Sequence, residues 1–435
     1  MKRVPVIVIF VCASWHAYTQ QAATSSPINE QQLENIVASN DDVAVEDDSW
    51  LQQMQQFIKH PIELNISTDE DLIELHALTV LQRRQFLLYR DLCGKLISVY
   101  ELQAVPGWDI ALIKRILPFV TVSNDNFKND FLNARNGRGE HSMLLRVSQT
   151  LERSKAYSHD SSTTNYYPGS PQRIFLRYTY HFKNLLQWGI VAEKDPGEQF
   201  LKGKQKLGFD FYSFHIFLNN FKNIRSVAIG DFTVNMGQGL IQWQTLAFTK
   251  SADIPAIKRE GNILQPYHSS GEINFHRGLG ITIKKKRFEI TAFASYQKLD
   301  GNFVVDTLQF DHISSFQTSG YHRTKSETDD EHIQSQTCVG GNLTYFLKRL
   351  RVGLNAIHYR FCLPLVKPDE PYNKFALAGN SLSNFSFDYA YTFRNIHFFG
   401  EIASTERLDR AMVNGMIIST STSTDIALLY RDISP

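Results

Sequence analysis

Four basic residues, Arg83, Arg84, Lys114 and Arg115, lie on stretches of helical periodicity and could meet a nucleic-acid backbone, although bases on a helix surface usually form only a solvated face. Farther along, Glu193, Asp195 and Glu198 bring carboxylates together around Pro196-Gly197, which suits Ca2+ as well as it suits a simple turn. Asp329-Asp330-Glu331-His332 reads as solvated charge in a polar loop. The glycines of Met236-Gly237-Gln238-Gly239 fit a tight loop folded inward to constrict a lumen. No G-x-S-x-G elbow, H-E-x-x-H helix, Walker loop or paired C-x-x-C is present, and the fourteen histidines lack ligand spacing. The expectation is a protein that is not an enzyme and has no cofactor and no metal.

The cysteines carry a separate expectation. If the chain reverses tightly at Lys348–Leu350, residues whose numbers add to about 700 face each other, and Cys338 and Cys362 satisfy that sum. In an oxidising compartment such a pair can form a disulfide, whereas a one-residue slip would turn the two to opposite faces.

The elements that must position these residues are mainly strands. Phe385, Phe387, Tyr389, Tyr391 and Phe393 alternate with Ser386, Asp388, Ala390 and Thr392, giving one apolar and one polar face. Polar pairs such as Lys183-Asn184, Lys286-Arg287 and Arg394-Asn395 reverse the chain, while 155–172 and 299–336 are long and hydrophilic. Set out as successive strands, 142–153, 173–182, 185–194, 208–218, 224–234, 277–285, 288–297, 337–347, 351–361, 384–393 and 396–404 put every short turn on one rim. That segregation predicts an antiparallel transmembrane β-barrel in the outer membrane, since a soluble sandwich has no reason to enforce it. Adding 416–420 and 425–431 makes an odd number of strands, and no terminal aromatic strand follows before Ser434-Pro435. The barrel is therefore expected to be incomplete at the C-terminus, by truncation.

Composition agrees with this but does not choose it. A net charge of +1 names no partner, and a mean hydropathy of −0.27 excludes a helical membrane protein. Lys2-Arg3 followed by an apolar run to Ala13 and small residues to Ala17 reads as a signal peptide over residues 1–19. A polar linker, 20–49, follows. From Trp50 the periodicity turns helical: Ser67-x-x-Glu70, Thr79-x-x-Gln82 and Ser98-x-x-Glu101 match capping boxes, Gly94 supplies a stop, and Asp109 can cap a fourth helix ending at Pro118. Four short helices make two helix–hairpin–helix units over 50–122.

Pro61–Thr68, Glu70-Asp71-Leu72, Leu75, Tyr89-Arg90, Ser98–Leu102 and Val105-Pro106-Gly107 resemble the tandem helix–hairpin–helix domain of competence-type DNA receptors over roughly residues 61–120. That resemblance implies phosphate contact through hairpin glycines, which here leaves Gly107 with Arg83, Arg84, Lys114 and Arg115 as DNA-backbone candidates. The chain departs from the family at His76-Ala77-Leu78-Thr79, where Pro-Gly-apolar-Gly is the pattern, and at Asp109, which replaces a glycine. A second resemblance, carried by Gly189–Glu198, Gly208–Ser213, Gly230-Asp231-Phe232 and Met236–Leu240, is to exported proteins that couple such a helical module to an outer-membrane barrel.

The expected fold class is α+β, a small all-α domain (50–122) followed by a barrel (142–435) embedded in outer-membrane lipid. The helical module is placed in the periplasm, where it docks a protein partner or plugs the pore. The alternative is an envelope DNA-binding or DNA-uptake protein making non-specific backbone contacts, a reading that steep salt dependence would favour.

Overall fold

The computed structural model describes residues 54, 56–122, 139–158, 165–245, 257–305, 310–421 and 424–434. The signal segment and linker expected over 1–49 lie outside the described residues.

The helical module begins with a short strand, β1 (Ile62–Glu63), paired in parallel with β2 (Val120–Thr121), so both ends of the module are stitched together. Between them lie α1 (Asp69–Ile73), α2 (Val80–Cys93), a 3-10 turn (Val99–Ala104) and α3 (Ile110–Ile116). Each starts where a side chain can satisfy free amides. Thr79 and Gln82 form a reciprocal capping box on α2, and Asp109 Oδ1 accepts from Leu112 N at 2.7 Å on α3. On α1 the box is one residue later than expected, using Thr68 and Asp71. At the third start Ser98 caps only a 3-10 turn, and the Glu101 carboxylate accepts from Ile97 N. Gly94 ends α2 at φ +89°. Phe86 stacks on Trp108 with ring centroids 5.4 Å apart, within a core that includes Leu64, Leu72, Leu75, Leu102 and Ile116.

The remainder is one antiparallel sheet. Its path runs through β3 (Glu140–Gln149), β4 (Gln172–Phe182), β5 (Leu186–Lys194), β6 (Phe211–Phe221), β7 (Ile224–Val234), β9 (His276–Lys285) and β10 (Phe288–Leu299). It continues through β13 (Gln334–Phe346), β14 (Leu350–Leu365), β15 (Gly379–Phe393), β16 (Ile396–Thr405), β17 (Arg410–Ser421) and β18 (Thr424–Ile433). Three short strands lie off this path: β8 (Leu264–Pro266), β11 (Gly301–Val304) and β12 (His312–Phe316), while α4 (Lys325–Asp329) sits in the connection before β13. Along the path each strand pairs with its sequence neighbour among these thirteen, as a meander does. The edge strands β3 and β18 each have a single partner among the described residues, so the sheet is curled but not closed.

Hairpins on one rim are tight. Phe221 faces Ile224, Lys285 faces Phe288 and Phe393 faces Ile396, each across two intervening residues. Lys222, Lys286 and Arg394 open these turns at φ +55°, +55° and +52°, in the left-handed region that a two-residue reversal demands. Two expected turns are longer: Phe182 pairs with Leu186 across Lys183–Leu185, and Phe346 pairs with Arg351. The opposite rim carries the long connections, with one exception at 406–409, where β17 starts six residues before the expected 416.

Burial is inverted relative to a water-soluble sheet. On β15, Phe385 and Phe387 are 53% and 42% exposed, whereas Ser386 and Asp388 are 6% and 1% exposed. The same alternation sets exposed Phe288 and Ile290 against buried Glu289 and Thr291 on β10, and exposed Phe398 and Ile402 against buried His397 and Glu401 on β16. The convex face is apolar and the concave face polar.

Candidate functional site: a helical module seated on a polar concave face

The helical module contacts the sheet at the rim of tight turns. Lys59 Nζ lies 2.8 Å from Glu140, and Gln56 and Asn184 each donate to a backbone carbonyl across the junction, those of Lys183 and His60. Deeper in, Arg225 at the start of β7 lies 2.9 Å from Asp71, and Lys284 at the end of β9 lies 3.5 Å from Glu70. Asn262 donates to Glu74. The acidic first turn of α1 is thus turned toward basic residues of the sheet wall. Burial alone would raise the Glu70 pKa, but Lys284 and Arg225 hold it down at about 2.

The described parts of the connection leaving β7, 235–245 and 257–263, lie on the concave face and at this junction. Its first part, 235–245, is fixed to strands on the other side of the curl. Glu401 on β16 accepts from Gln238 N at 2.6 Å and Leu240 N at 3.0 Å, a carboxylate held in a nest of backbone amides. Gly237 and Gly239 make the nest possible at φ +55° and +80°; a Cβ on Gly237 would sit 2.6 Å from the Glu401 carboxyl carbon. Tyr359 on β14 donates to Gln242 at 2.7 Å, and Gln242 lies 3.2 Å from His276 on β9. The inward fold expected for Met236–Gly239 is the one observed.

The second part, 257–263, meets α2. Arg83 is 2% exposed, donates to Asp69 at 3.0 Å and to the Leu78 carbonyl at 2.8 Å, and lies 2.6 Å from Glu260. Lys258 completes the group at 2.6 Å from Glu260. Burial opposes ionisation of Glu260, but Arg83 and Lys258 drive its pKa far below the ordinary carboxylate range. Beside this group Leu81 packs with Phe399 and Ile417 of the wall and Ile257 of the inward segment.

These contacts correct the reading of Arg83 as a DNA contact, because a guanidinium enclosed by two carboxylates and a carbonyl is not offered to phosphate. Arg84 lines the cavity between module and wall, together with Arg225, Lys258 and Arg259. Arg115 is exposed but donates to the Ala77 carbonyl at 2.7 Å. Lys114 and Gly107 are exposed, and Gly107 has open space where a side chain would stand. Of the five candidates, Arg83 and Arg84 are thus taken up at the junction and Gly107, Lys114 and Arg115 are left exposed.

One further expectation is corrected. Cys338 faces Tyr359, not Cys362, because Phe346 pairs with Arg351 and shifts the mirror point of the hairpin. Cys338 is buried and Cys362 exposed, and both are free thiols. Of the two readings of Glu193, Asp195 and Glu198 the turn is present, since Glu198 N donates to the Asp195 carbonyl at 3.3 Å and Gly197 has φ +100°, while Arg173 binds Glu193 at 2.6 Å and Asp195 at 3.4 Å and Glu198 turns toward Asp210 and His322. Spacing did not reveal Glu260 or Glu401, whose partners lie 177 and 163 residues away along the chain.

No protein-family model matches the sequence, and comparison with curated proteins finds no match. Among solved structures the chain is similar to OmpT, an outer membrane protein of Vibrio cholerae, at 9% identity and a TM-score of 0.25, covering 68% of this chain and 90% of that one. It is similar to an anion-selective porin from Comamonas acidovorans at 12% identity and a TM-score of 0.26, covering 61% and 80%. It is also similar to Wzi, an Escherichia coli outer membrane protein involved in group 1 capsule assembly, at 11% identity and a TM-score of 0.31, covering 89% and 70%.

Proposed function

We propose that the chain is a non-enzymatic outer-membrane protein whose curled sheet faces lipid and whose helical module plugs the concave side from the periplasm. The observation that carries this reading is the inverted burial of β15, with phenylalanines outside and Ser386, Asp388 and Thr392 inside. Exposed aromatics at every second position are costly in water and favourable in hydrocarbon. Every strand of the path between β3 and β18 pairs on both sides, as backbone groups in hydrocarbon require, and pairing of those two edges would complete the requirement. The plug is supported by the Arg83–Glu260 contact, which uses one charge from the module and one from the inward segment. Fractionation of cells expressing the full chain tests the location: it should stay with the outer membrane after an alkaline wash, and recovery as a soluble periplasmic protein would reject the proposal. The plug is tested in planar bilayers, where Arg83→Ala should conduct more than the parent chain; equal conductance would reject plugging while leaving the location intact.

A further inference from the structure

At the rim opposite the helical module, three connections converge on His322. Its Nδ1 lies 2.5 Å from Asp210, which precedes β6, and its Nε2 lies 2.9 Å from Asp300, which follows β10. Glu198 accepts from His322 N at 3.0 Å and from Asp195 N at 2.7 Å, so the backbone carrying the imidazole is fixed. Ligand atoms of Glu272, Asp300 and His322 lie within 4.8 Å of one another. The His322 side chain is 2% exposed.

Two observations separate this group from an ordinary buried ion-pair network. The first is Glu272, which accepts no hydrogen bond among the described residues although it faces His322. The second is that the side chains of Lys194 and Arg323 make their hydrogen bonds outside the group. Lys194 Nζ donates to the carbonyls of Ser170, Gln172 and Asp195, and Arg323 pairs with Glu327 while stacking on Tyr321. Four carboxylates thus surround one imidazole, with the ring of His332 3.9 Å from Asp300 at the edge of the group.

We propose that His322, Asp300 and Glu272 bind a divalent transition-metal ion, of the zinc or manganese class. One imidazole nitrogen with carboxylate oxygens suits such ions, whereas Ca2+ takes oxygen ligands alone. Asp210 then holds Nδ1–H and orients the ring, the arrangement by which an outer carboxylate fixes a metal-binding histidine. The proton that Nε2 shares with Asp300 leaves to solvent as the metal enters. Because Asp210, Glu272 and the Asp300–His322 pair belong to three separate connections, the ion ties these together.

The full chain, purified in detergent micelles and stripped with chelator, is titrated with Zn2+ and with Mn2+. Bound metal is counted after gel filtration, and the thermal midpoint is followed by circular dichroism. The parent chain should hold about one equivalent of either ion and unfold at higher temperature with it. Glu272→Gln removes a ligand but no hydrogen bond, so it should fold yet lose that equivalent and the thermal shift. Asp210→Asn, a change in a positioning residue, should weaken binding by about 10–100-fold. Asp300→Asn serves if Glu272→Gln does not fold. Absence of a stoichiometric ion in the parent chain, or equal binding by parent and ligand variants, would overturn the site.

Discussion

Arg83 of the helical module and Glu260 of the inward segment lie 2.6 Å apart, with only 2% of the Arg83 side chain exposed. The pair joins three parts of the molecule at once, since Asp69 anchors the same guanidinium to α1 and Ile257 sets the adjacent segment against the sheet wall. Removing one partner of a buried pair leaves the other charge desolvated and unmatched.

Glu260→Gln should therefore loosen the module more than loss of an exposed ion pair would. The expected cost is about 3 kcal/mol, at the low end for broken buried pairs because Asp69 remains beside Arg83. Hydrogen exchange of α2 amides is the measurement. Protection that falls in Glu260→Gln but not in a variant of the exposed Lys59–Glu140 pair supports the assignment; an equal response of both would contradict it.

The same junction has a pH signature. The Glu70 pKa is lowered from 4.5 to about 2 by Lys284 and Arg225 acting against burial. A carboxylate with a depressed folded-state pKa contributes stability that is present above its unfolded value and lost as pH falls through the folded one. Module attachment should be unchanged from neutral pH to about 4.5 and weaken between there and about 2. Proteolysis of the module across that window should show the loss in the parent chain, and Glu70→Gln should show it reduced.

Much of this was legible from residue types alone. Period-two patterning located all thirteen strands of the path, since a side chain on a strand has only two faces to point to. Turns were harder. Nothing in Lys183-Asn184-Leu185 or Leu347–Leu350 distinguishes a two-residue reversal from a longer one, and hairpin register follows loop length. Asp109 announced its cap, because capping is local, whereas Arg83 looked like any surface base until Glu260 arrived from a distant segment. Long-range charge pairing leaves no periodicity to read.

Gly237 gives a prediction about the inward segment. Its φ of +55° disfavours any side chain, and an added methyl would press on the Glu401 carboxyl group at 2.6–2.8 Å. Gly237→Ala should cost about 1–3 kcal/mol and release the nest around Glu401. Glu401→Gln should loosen the same loop with no change at Gly237, because a neutral amide accepts from Gln238 N and Leu240 N more weakly. Trp243 fluorescence reports the rearrangement; an unshifted spectrum in both variants would refute the clamp.

Cys338 and Cys362 test the register of β13 and β14. Pairing of Cys338 with Tyr359 and of Gln336 with Phe361 places Cys362 beyond the facing position, and the two thiols differ in burial as well. Cys338 lies on the concave side, packed with Phe293 and Ile357, while Cys362 is exposed. A disulfide needs facing β-carbons, and these residues do not provide them. The folded chain in detergent should therefore react with a maleimide at Cys362 and not at Cys338, under both oxidising and reducing conditions. Mass mapping of the labelled peptides distinguishes the outcomes: modification of Cys338 alone would reverse the faces, and a linked peptide pair would require the three-residue register shift that facing cysteines imply.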